Sequence, residues 1–288
     1  MSNLIKLIKN IRPYRSIHYS GLVIGGSIIG YWLSREDGSF LSNYGLETLI
    51  LVAGIIFAFQ AACVLNDFFD INGDKITNKN RPLITNKIAP EIYRKWGLTC
   101  LFLSLIFGII AGWVPFAMIC LFQILYTVYS VPPFRLKKYF PLNIAIVSAN
   151  GLIAMIAGFG IVAGRSIIYD FPIRLIIMVI VSLMTSINMI HLKDREGDIM
   201  DGIRTIPSMT TEKNAKITIA FLTIIAYISV PVILGMNILL YFSVIGAGIG
   251  SYLVLRKEWK EGPYFLTYFV YYAIMIYCIG VNLEIFTR

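Results

Sequence analysis

The sequence is poor in charged residues, cysteine and histidine. Asp, Glu, Lys and Arg make up 14% of the 288 residues, whereas a soluble domain carries about 25%. All four cysteines lie inside apolar runs and share no metal-ligand spacing, so we expect neither disulfides nor a cysteine-bound metal. The basic N-terminal segment is not followed by a short apolar run with a small-residue cleavage site, which argues against a secretory signal peptide.

Apolar residues, by contrast, make up 57% of the chain, and its mean hydropathy is +0.74. Runs of roughly 17–23 apolar residues recur along the whole length, and such a run is long enough to cross a bilayer as a helix. The sequence therefore predicts an all-α, polytopic membrane protein in which residues 1–288 form one domain, a bundle of nine transmembrane helices. The predicted spans are 17–33, 46–66, 96–112, 114–131, 142–164, 172–192, 215–234, 237–255 and 264–285.

The charges of the loops give an independent indication of nine spans. With this count, 21 of the 25 Lys and Arg residues fall on one side of the membrane, and the exceptions are Arg35, Arg165, Arg174 and Arg288. Because basic loops stay in the cytoplasm, we predict a cytoplasmic N-terminus and an outside C-terminus in a cell membrane. The partner implied by this charge is the lipid bilayer, and we expect no nucleic-acid partner.

Two acidic motifs follow directly on apolar runs. Residues four apart within each motif share one face of a helix; they are Asn66, Asp70 and Asp74 in the first motif and Asp194 and Asp198 in the second. An arginine and a proline follow each motif. The chain thus contains a weak internal repeat, with motifs at 66–82 and 190–207, and repeats in membrane proteins often place the site between the two halves. Both motifs lie on the predicted cytoplasmic side.

Carboxylates at the end of a membrane helix are costly unless a cation lies between them. Mg²⁺ prefers one or two carboxylates, together with waters and phosphate oxygens. Two facing carboxylate pairs therefore suit two or more Mg²⁺ ions with a diphosphate held between them.

The alternatives are ordinary solvated acids at helix ends and an EF-hand. The EF-hand is excluded because its sixth and twelfth positions are Lys75 and Arg81.

A basic segment lies in the next predicted cytoplasmic loop. Pro132 and Pro133 stiffen this loop, which would aim Arg135 and Lys137 at one place. Arginine matches a phosphate edge with two parallel hydrogen bonds, and lysine adds a point charge. We therefore predict phosphate contacts from this loop, with the binding of lipid head groups as the alternative.

Histidines and glycines near or within the apolar runs carry weaker signals. His191 lies three residues before Asp194 and faces roughly the same way, so that it could bind substrate or help to take a proton. His18, near the start of the first span, is expected at the membrane interface. Two glycine pairs have the small-xxx-small spacing of closely packed membrane helices: Gly160/Gly164 and Gly246/Gly250.

Three ordered motifs resemble those of the UbiA superfamily of intramembrane prenyltransferases. They are Asn66-Asp67-x-x-Asp70-x-x-x-Asp74 with Asn80-Arg81-Pro82-Leu83, Tyr129-Ser130-x-Pro132-Pro133-x-Arg135-Leu136-Lys137, and Lys193-Asp194-Arg195-Glu196-Gly197-Asp198 with Gly202-Ile203-Arg204-Thr205-Ile206-Pro207. The resemblance covers most of the chain. It implies a nine-helix bundle whose cavity opens sideways to lipid beneath two cytoplasmic, aspartate-rich loops.

The resemblance also implies an activity: Mg²⁺-dependent transfer of a prenyl group from an isoprenyl diphosphate to a lipophilic or aromatic acceptor, as in quinone, chlorophyll or ether-lipid biosynthesis. The Mg²⁺ ligands would be Asn66, Asp70, Asp74, Asp194 and Asp198, and the four aspartates among them would be the catalytic residues. The diphosphate contacts would be Arg81, Arg135, Lys137, Lys193 and Arg204. His191 and Tyr129 would lie on the side of the acceptor. Asp67 is one residue after Asn66, so it does not lie on the helical face that Asn66, Asp70 and Asp74 share.

Two other functions compete with prenyl transfer. A membrane terpene cyclase would use the same diphosphate site but would capture the carbocation with its own double bonds. A transporter or channel would use the acids for cation passage, but the acids cluster at one surface and most spans have no charge at mid-depth. The motifs indicate the diphosphate and leave the acceptor open.

Overall fold

Helices account for all the regular structure in the part of the chain that is described, so the all-α prediction is confirmed. The computed structural model describes residue 7 and residues 11–35, 37–164 and 170–283. The α-helices are α1 (Pro13–Ser34), α2 (Phe40–Phe69), α3 (Ile71–Thr77), α4 (Pro82–Thr85), α5 (Pro90–Ala111), α6 (Trp113–Ser130), α7 (Leu142–Ala163), α8 (Ile173–Ser186), α9 (Arg195–Met200), α10 (Ile206–Met209), α11 (Glu212–Leu234), α12 (Asn237–Leu255) and α13 (Glu261–Val281). Helix α8 continues as a 3₁₀ helix over Ile187–Leu192.

Within these ranges, eight helices are long and apolar enough to cross a membrane. They are α2, α5, α6, α7, α8 with its 3₁₀ extension, α11, α12 and α13. The protein is therefore an integral membrane protein. Helix α1 has 22 residues, which is also a spanning length, but polar residues such as His18 and Ser27 lower its mean hydropathy. The ninth span stays a prediction.

Helix α1 crosses α7 with the two backbones in close contact. A Cβ atom added to Gly26 would lie 2.0 Å from the carbonyl oxygen of Met155, and one added to Gly158 would lie 2.0 Å from that of Val23. The hydroxyl of Ser27 donates a hydrogen bond to the carbonyl oxygen of Gly158 at 3.1 Å. Small residues at such a crossing allow membrane helices to approach closely. The contact aligns α1 and α7 so that both start at the same end of the bundle.

The glycine pairs predicted to pack closely have different outcomes. A Cβ atom on Gly246 would lie 2.5 Å from a ring carbon of Tyr227, and one on Gly250 would lie 2.9 Å from a methyl carbon of Thr223. This pair therefore packs α12 against α11, as predicted. Gly164 instead ends α7 with a φ of +55° and has no atom within 4 Å of its Cβ position. For Gly164 the prediction is wrong, because this helix end requires a positive φ that glycine adopts easily.

Four short helices lie together at one end of the bundle, which we call the cap end. Helix α3 contains the end of the first acidic motif and α4 follows it, while α9 contains the end of the second motif and α10 follows that. Helices α3 and α9 contact each other through a glycine in each motif. A Cβ atom on Gly73 would lie 3.2 Å from the carbonyl oxygen of Gly197, and one on Gly197 would lie 2.9 Å from that of Gly73. The fold thereby brings the two distant motifs face to face.

The predicted spans coincide with long helices, but the ends of these helices differ from the predicted ends. Helix α2 begins before the predicted span 46–66 because the side chain of Ser39 caps it by accepting a hydrogen bond from the backbone N–H of Ser42. The last two residues of the predicted span 264–285 lie outside the described residues. The same is true of four charges that the topology prediction used: Lys6, Lys9, Arg165 and Arg288.

Candidate active site

A cavity runs from the cap end into the bundle. Ionic and polar side chains line it near the cap, and aromatic and apolar side chains line it further along the helices. Of the residues predicted for the site, those that line the cavity are Asn66, Asp70, Asp74, Arg81, Tyr129, Lys137, His191, Asp194 and Asp198. The lining does not include Arg135, Lys193 or Arg204.

Asp70 lies where α2 passes into α3, and its carboxylate holds the basic loop. Lys137 Nζ forms a close ion pair with Asp70 Oδ1 and donates to Asn66 Oδ1 at 3.1 Å. The amide of Asn66 donates to Asp70 Oδ2 at 2.6 Å. Lys137 is 3% exposed, and this burial lowers its pKa, although Asp70 opposes the shift. The predicted cation of the basic loop is therefore fixed beside the first acidic motif.

Arg135 lies at the rim of the cavity in a conformation that is uncommon for a residue with a Cβ atom, with a φ of +38°. Its Nη2 donates to the carbonyl oxygen of Phe69 at 2.9 Å and to Asp70 Oδ1 at 3.2 Å. The same nitrogen lies 3.6 Å from Asp201 Oδ2. Asp201 lines the cavity and was missed in the sequence. Its position three residues after Asp198, on the same side of a helical turn, was the available signal.

Asp67 is a buried ionic centre outside the cavity lining. Its side chain is 1% exposed, and Oδ1 lies 2.6 Å from Arg12 Nη2 and 2.9 Å from Arg81 Nη1. The hydroxyl of Tyr93 donates to Oδ2 at 2.7 Å. Asp67 therefore links the residues before α1, the start of α4 and helix α5. The sequence singled out neither Arg12 nor Tyr93 for the site, since both are distant along the chain.

Asp74 shares Arg81 with Asp67. Arg81 Nη1 forms a close ion pair with Asp74 Oδ2, which places this predicted diphosphate contact between two carboxylates. Burial raises the pKa of Asp74 to about 6, against the lowering effect of Arg81. Asp67 and Asp70 add to the rise because negative charges close together disfavour ionisation. Asp74 is thus a carboxyl group that can change its charge near neutral pH.

A single amide bridges the two acidic motifs. Asn78 Nδ2 donates to Asp74 Oδ1 at 3.2 Å and to Asp194 Oδ1 at 2.9 Å. Burial alone would raise the pKa of Asp194, but Lys193, Arg15 and this hydrogen bond lower it below its usual range. Asn78 was not predicted for the site. The bridge shows that the two motifs meet within the reach of one side chain.

The second motif also holds its remaining predicted residues close together. His191 Nδ1 lies 3.5 Å from Asp198 Oδ2, and the hydroxyl of Thr205 donates to the same oxygen at 3.2 Å. Thr205 also caps α10. His191 therefore faces the acidic motif, as its spacing in the sequence indicated.

Two of the residues predicted to contact the diphosphate, Lys193 and Arg204, do not line the cavity. Lys193 Nζ lies 3.1 Å from Glu261 Oε1, and Arg15 Nη2 lies 2.9 Å from the same oxygen. Arg204 is exposed, while its backbone N–H donates to the carbonyl oxygen of Lys138 at 3.1 Å. The role of these two side chains toward a diphosphate stays a prediction.

The donor chemistry at the cap end fits Mg²⁺. Carboxylate and amide oxygens line the cavity from both motifs, and these are the hard ligands that Mg²⁺ prefers. Across the residues that the structure describes, no three Asp, Glu, His or Cys side chains stand close enough together to form a metal site by themselves. The carboxylates are instead neutralised by Arg81, Arg135 and Lys137. The predicted metal ligands therefore share one cavity without forming a completed ligand set.

Tyrosines dominate the cavity beyond the cap. The lining includes Tyr19, Tyr126, Tyr129, Tyr227, Tyr264, Tyr268, Tyr271 and Tyr272, with Met178 and Met275. The hydroxyl oxygens of Tyr19 and Tyr126 are 2.5 Å apart. Aromatic faces attract cations, and thioether sulfur is polarisable. This part of the cavity suits an apolar chain that carries positive charge at one end.

Known proteins resemble this chain in sequence along most of its length. A family model described as the UbiA prenyltransferase family matches residues 23–278. The digeranylgeranylglyceryl phosphate synthase of Pyrococcus horikoshii is 27% identical over 256 residues, which cover 84% of this chain and 89% of that protein. The enzyme of the same name from Sulfolobus acidocaldarius is 28% identical over 204 residues, which cover 69% of this chain and 70% of that protein.

A solved structure resembles the fold. The UbiA homolog from Archaeoglobus fulgidus, bound to GPP and Mg²⁺, superposes with a TM-score of 0.70. The match covers 98% of this chain and 100% of that one at 16% identity. At this identity the likeness establishes the fold alone.

Proposed function

Because this chain belongs to the UbiA prenyltransferase family and is a prenyltransferase, we propose that it ionises an isoprenyl diphosphate at the cap end and transfers the prenyl group to a lipophilic or aromatic acceptor. The observation that carries this proposal is the meeting of two acidic motifs across one cavity, where Asn78 bridges Asp74 and Asp194. Basic side chains lie beside these acids, and an apolar, aromatic cavity continues from them.

Asn66, Asp70 and Asp74 on one side and Asp194 and Asp198 on the other would hold Mg²⁺. Bound Mg²⁺ would neutralise the diphosphate charge that develops as the C–O bond breaks. The Mg²⁺-bound and GPP-bound homolog from Archaeoglobus fulgidus supports this choice of ion and of diphosphate.

The cations of the chain would bind the diphosphate by exchanging partners. Lys137 and Arg81 each lie against a carboxylate that we assign to Mg²⁺. If these carboxylates bound Mg²⁺, Lys137 and Arg81 would be free to pair with the phosphate oxygens of the substrate. Arg135 would contribute from the rim, and Lys193 and Arg204 would act only after reorientation of their side chains.

The tyrosine-lined part of the cavity would protect the carbocation that ionisation leaves behind. Aromatic faces stabilise positive charge, while the apolar surroundings keep water away from the reactive carbon. Tyr129, which lines the cavity with its ring 6.0 Å from that of Tyr126, would contribute on the acceptor side, as would His191. Two relatives are named digeranylgeranylglyceryl phosphate synthases, so a prenylated glyceryl phosphate is the first acceptor to test.

We also propose that the whole chain is one prenyltransferase domain with a weak internal repeat. Nine helices would span the membrane, with the N-terminus and the cap end in the cytoplasm and the C-terminus outside. The distribution of Lys and Arg supports this orientation.

The test is diphosphate release from labelled geranylgeranyl diphosphate by the purified protein with Mg²⁺. We expect the double variant Asp70→Asn with Asp194→Asn to lose about 100-fold or more of the rate, because charge neutralisation drives this step. Glu212→Gln is the matched control, since Glu212 is exposed and pairs with Lys216 on the helix surface. Unchanged release by the double variant would overturn the proposal. A cyclic hydrocarbon formed without acceptor would favour the terpene cyclase.

A further inference from the structure

One face of α1 carries a gradient from charged to apolar residues along the cavity. Arg15, His18 and Leu22 are spaced by three or four positions, so they lie on one side of the helix. Arg12, directly before α1, continues this spacing, and all four residues line the cavity. Arg12 pairs with Asp67, and Arg15 pairs with Glu261. His18 therefore occupies the boundary between the ionic cap and the apolar interior.

A hydrogen bond at one of its two nitrogens fixes the imidazole ring of His18. Nδ1 lies 3.0 Å from the hydroxyl oxygen of Tyr268 on α13, and the ring also lies against Tyr19, with ring centres 5.1 Å apart. Among the hydrogen bonds of the described residues, none uses Nε2 of His18. When Nδ1 carries the proton and donates it to Tyr268, Nε2 presents a lone pair. A ring fixed at Nδ1 with Nε2 available is the arrangement of a general base.

A row of tyrosines leads from His18 toward the acidic motifs along the cavity, and we call it the aromatic wall: Tyr19, Tyr126 and Tyr129. The Tyr19 ring beside His18 contacts Tyr126 through their hydroxyls, 2.5 Å apart. Tyr126 in turn lies next to Tyr129, with ring centres 6.0 Å apart, and Tyr129 lines the same cavity as Asp70 and Asp198. A diphosphate held at the acidic motifs would therefore place its first prenyl carbon at the start of this aromatic wall.

The other candidate bases in the cavity are less suitable. His191 is the second of only two histidines in the sequence, and its Nδ1 faces Asp198 at 3.5 Å. This carboxylate is one that we assign to Mg²⁺, so His191 lies beside the predicted metal site. Tyrosine hydroxyls have an ordinary pKa of about 10, so near neutral pH they stay protonated and offer no phenolate to take a proton. The carboxylates on the first motif are already paired with cations.

We propose that His18 is the general base that takes the proton of the acceptor, an inference that rests on the proposed prenyl transfer. The bond between the first prenyl carbon and the diphosphate oxygen breaks, and its electron pair leaves with the diphosphate. The nucleophilic oxygen or ring carbon of the acceptor forms a bond to the prenyl carbon. The proton that the acceptor loses passes to Nε2, which gives an imidazolium that Tyr268 orients through Nδ1.

The variant that tests this role is His18→Asn. Asparagine places an amide close to the position of Nδ1, where it can still pair with Tyr268, and it has no group at the position of Nε2. With labelled geranylgeranyl diphosphate and a geranylgeranylated glyceryl phosphate as acceptor, we expect transfer to fall about 100-fold. Diphosphate release without acceptor should continue at the wild-type rate, because ionisation needs no base.

Chemical rescue separates a base from a packing residue. We expect added imidazole to restore transfer by His18→Ala and to have no effect on His191→Asn, the comparison variant. Wild-type transfer by His18→Asn would overturn the inference, and so would a failure of imidazole to restore His18→Ala. If the unaltered protein releases no diphosphate, the proposed function fails and not the assignment of His18.

Discussion

Neighbouring carboxylates at the cap end experience three different electrostatic surroundings. Asp67 is buried between two arginines and a tyrosine hydroxyl. Asp74 shares one of those arginines and lies near two other acids, so its pKa rises. Asp194 has cationic neighbours and an amide donor, so its pKa falls. Chemically identical side chains are therefore suited to different tasks: Asp67 fixes arginines, whereas Asp74 and Asp194 differ in how readily they give up a proton to bind a metal.

The raised pKa of Asp74 predicts a pH-dependent affinity for Mg²⁺. A proton competes with the metal for this carboxyl group below its pKa of about 6. We expect the Mg²⁺ dissociation constant to be flat above pH 7 and to rise below pH 6, approaching about tenfold per pH unit. Titration calorimetry in detergent from pH 5 to 8 measures this. Asp194→Asn should weaken binding without moving the midpoint, and a pH-independent constant would contradict the assignment of Asp74.

The raised pKa of Asp74 also makes the stability of the metal-free protein depend on pH, and this stability falls as pH rises, whereas the affinity for Mg²⁺ increases. The folded protein holds the proton of Asp74 more tightly than the unfolded chain, whose Asp pKa is about 3.9. The stabilisation from this group is therefore complete below about pH 4 and is lost as pH rises through about 6. Asp74→Asn should remove this part of the pH dependence of thermal unfolding.

At the scale of single residues, local spacing predicted the acids that line the cavity and did not predict their partners. Asp70, Asp74, Asp194 and Asp198 recur four apart, and that pattern is visible in a single turn. The partners come from far along the chain: Asn78 reaches the second motif, and Arg12 reaches Asp67. No spacing rule connects residues that are brought together only by helix packing.

At the scale of elements, the crossing of α1 and α7 depends on glycine at two positions. The carbonyl oxygens of Met155 and Val23 lie where Cβ atoms of Gly26 and Gly158 would be. Because backbone atoms cannot rotate away as a side chain can, an added methyl group must push the helices apart. The displacement would also move the cap end of α1, which carries Arg12 and Arg15.

We therefore predict that Gly158→Ala destabilises the protein by about 1–3 kcal/mol, the usual cost of overpacking, and lowers the thermal midpoint in detergent. Gly248→Ala is the matched control, since Gly248 also lies within a long helix and has no atom within 4 Å of its Cβ position. Alanine there should leave the midpoint unchanged or raise it. Equal losses in both variants would show that helix propensity, and not the crossing, determines the effect.

The elements themselves could be predicted from the sequence because a membrane helix depends on a long apolar run, which one segment contains by itself. The ends of these helices could not be predicted, since they depend on caps such as the side chain of Ser39 and on the positive φ of Gly164. The short helices of the cap end were not predicted either. They are too short to show a helical period, and the contact between Gly73 and Gly197 that positions α3 against α9 is tertiary.

At the scale of the whole molecule, the number of spans decides on which sides of the membrane the two termini lie. Among the residues that the structure describes, eight helices are long and apolar enough to span, and α1 is long enough. If α1 spans as well, the count is odd, and the termini lie on opposite sides. If it does not, both termini lie on the same side.

We predict that a reporter fused after residue 288 lies outside while one fused before residue 1 lies in the cytoplasm, because the basic loops favour the cytoplasm. Alkaline phosphatase, which is active outside, and a fluorescent protein that folds in the cytoplasm give the two readouts. Fusions within the loop before α7 are the control for the cap side and should report cytoplasm. Reporters on the same side at both termini would reduce the count to eight.

The first and last long helices of the described chain form one wall of the cavity together. Arg15 bonds to Glu261, His18 to Tyr268 and the carbonyl oxygen of Gly21 to the hydroxyl of Tyr272, each across about 250 positions of sequence. Contacts so distant in sequence form late, because the ribosome must first deliver everything between them. During synthesis both acidic motifs are made before α13. Because α13 supplies Tyr264, Tyr268 and Tyr272 to the cavity lining, we expect the cavity to stay open along this side until α13 is inserted.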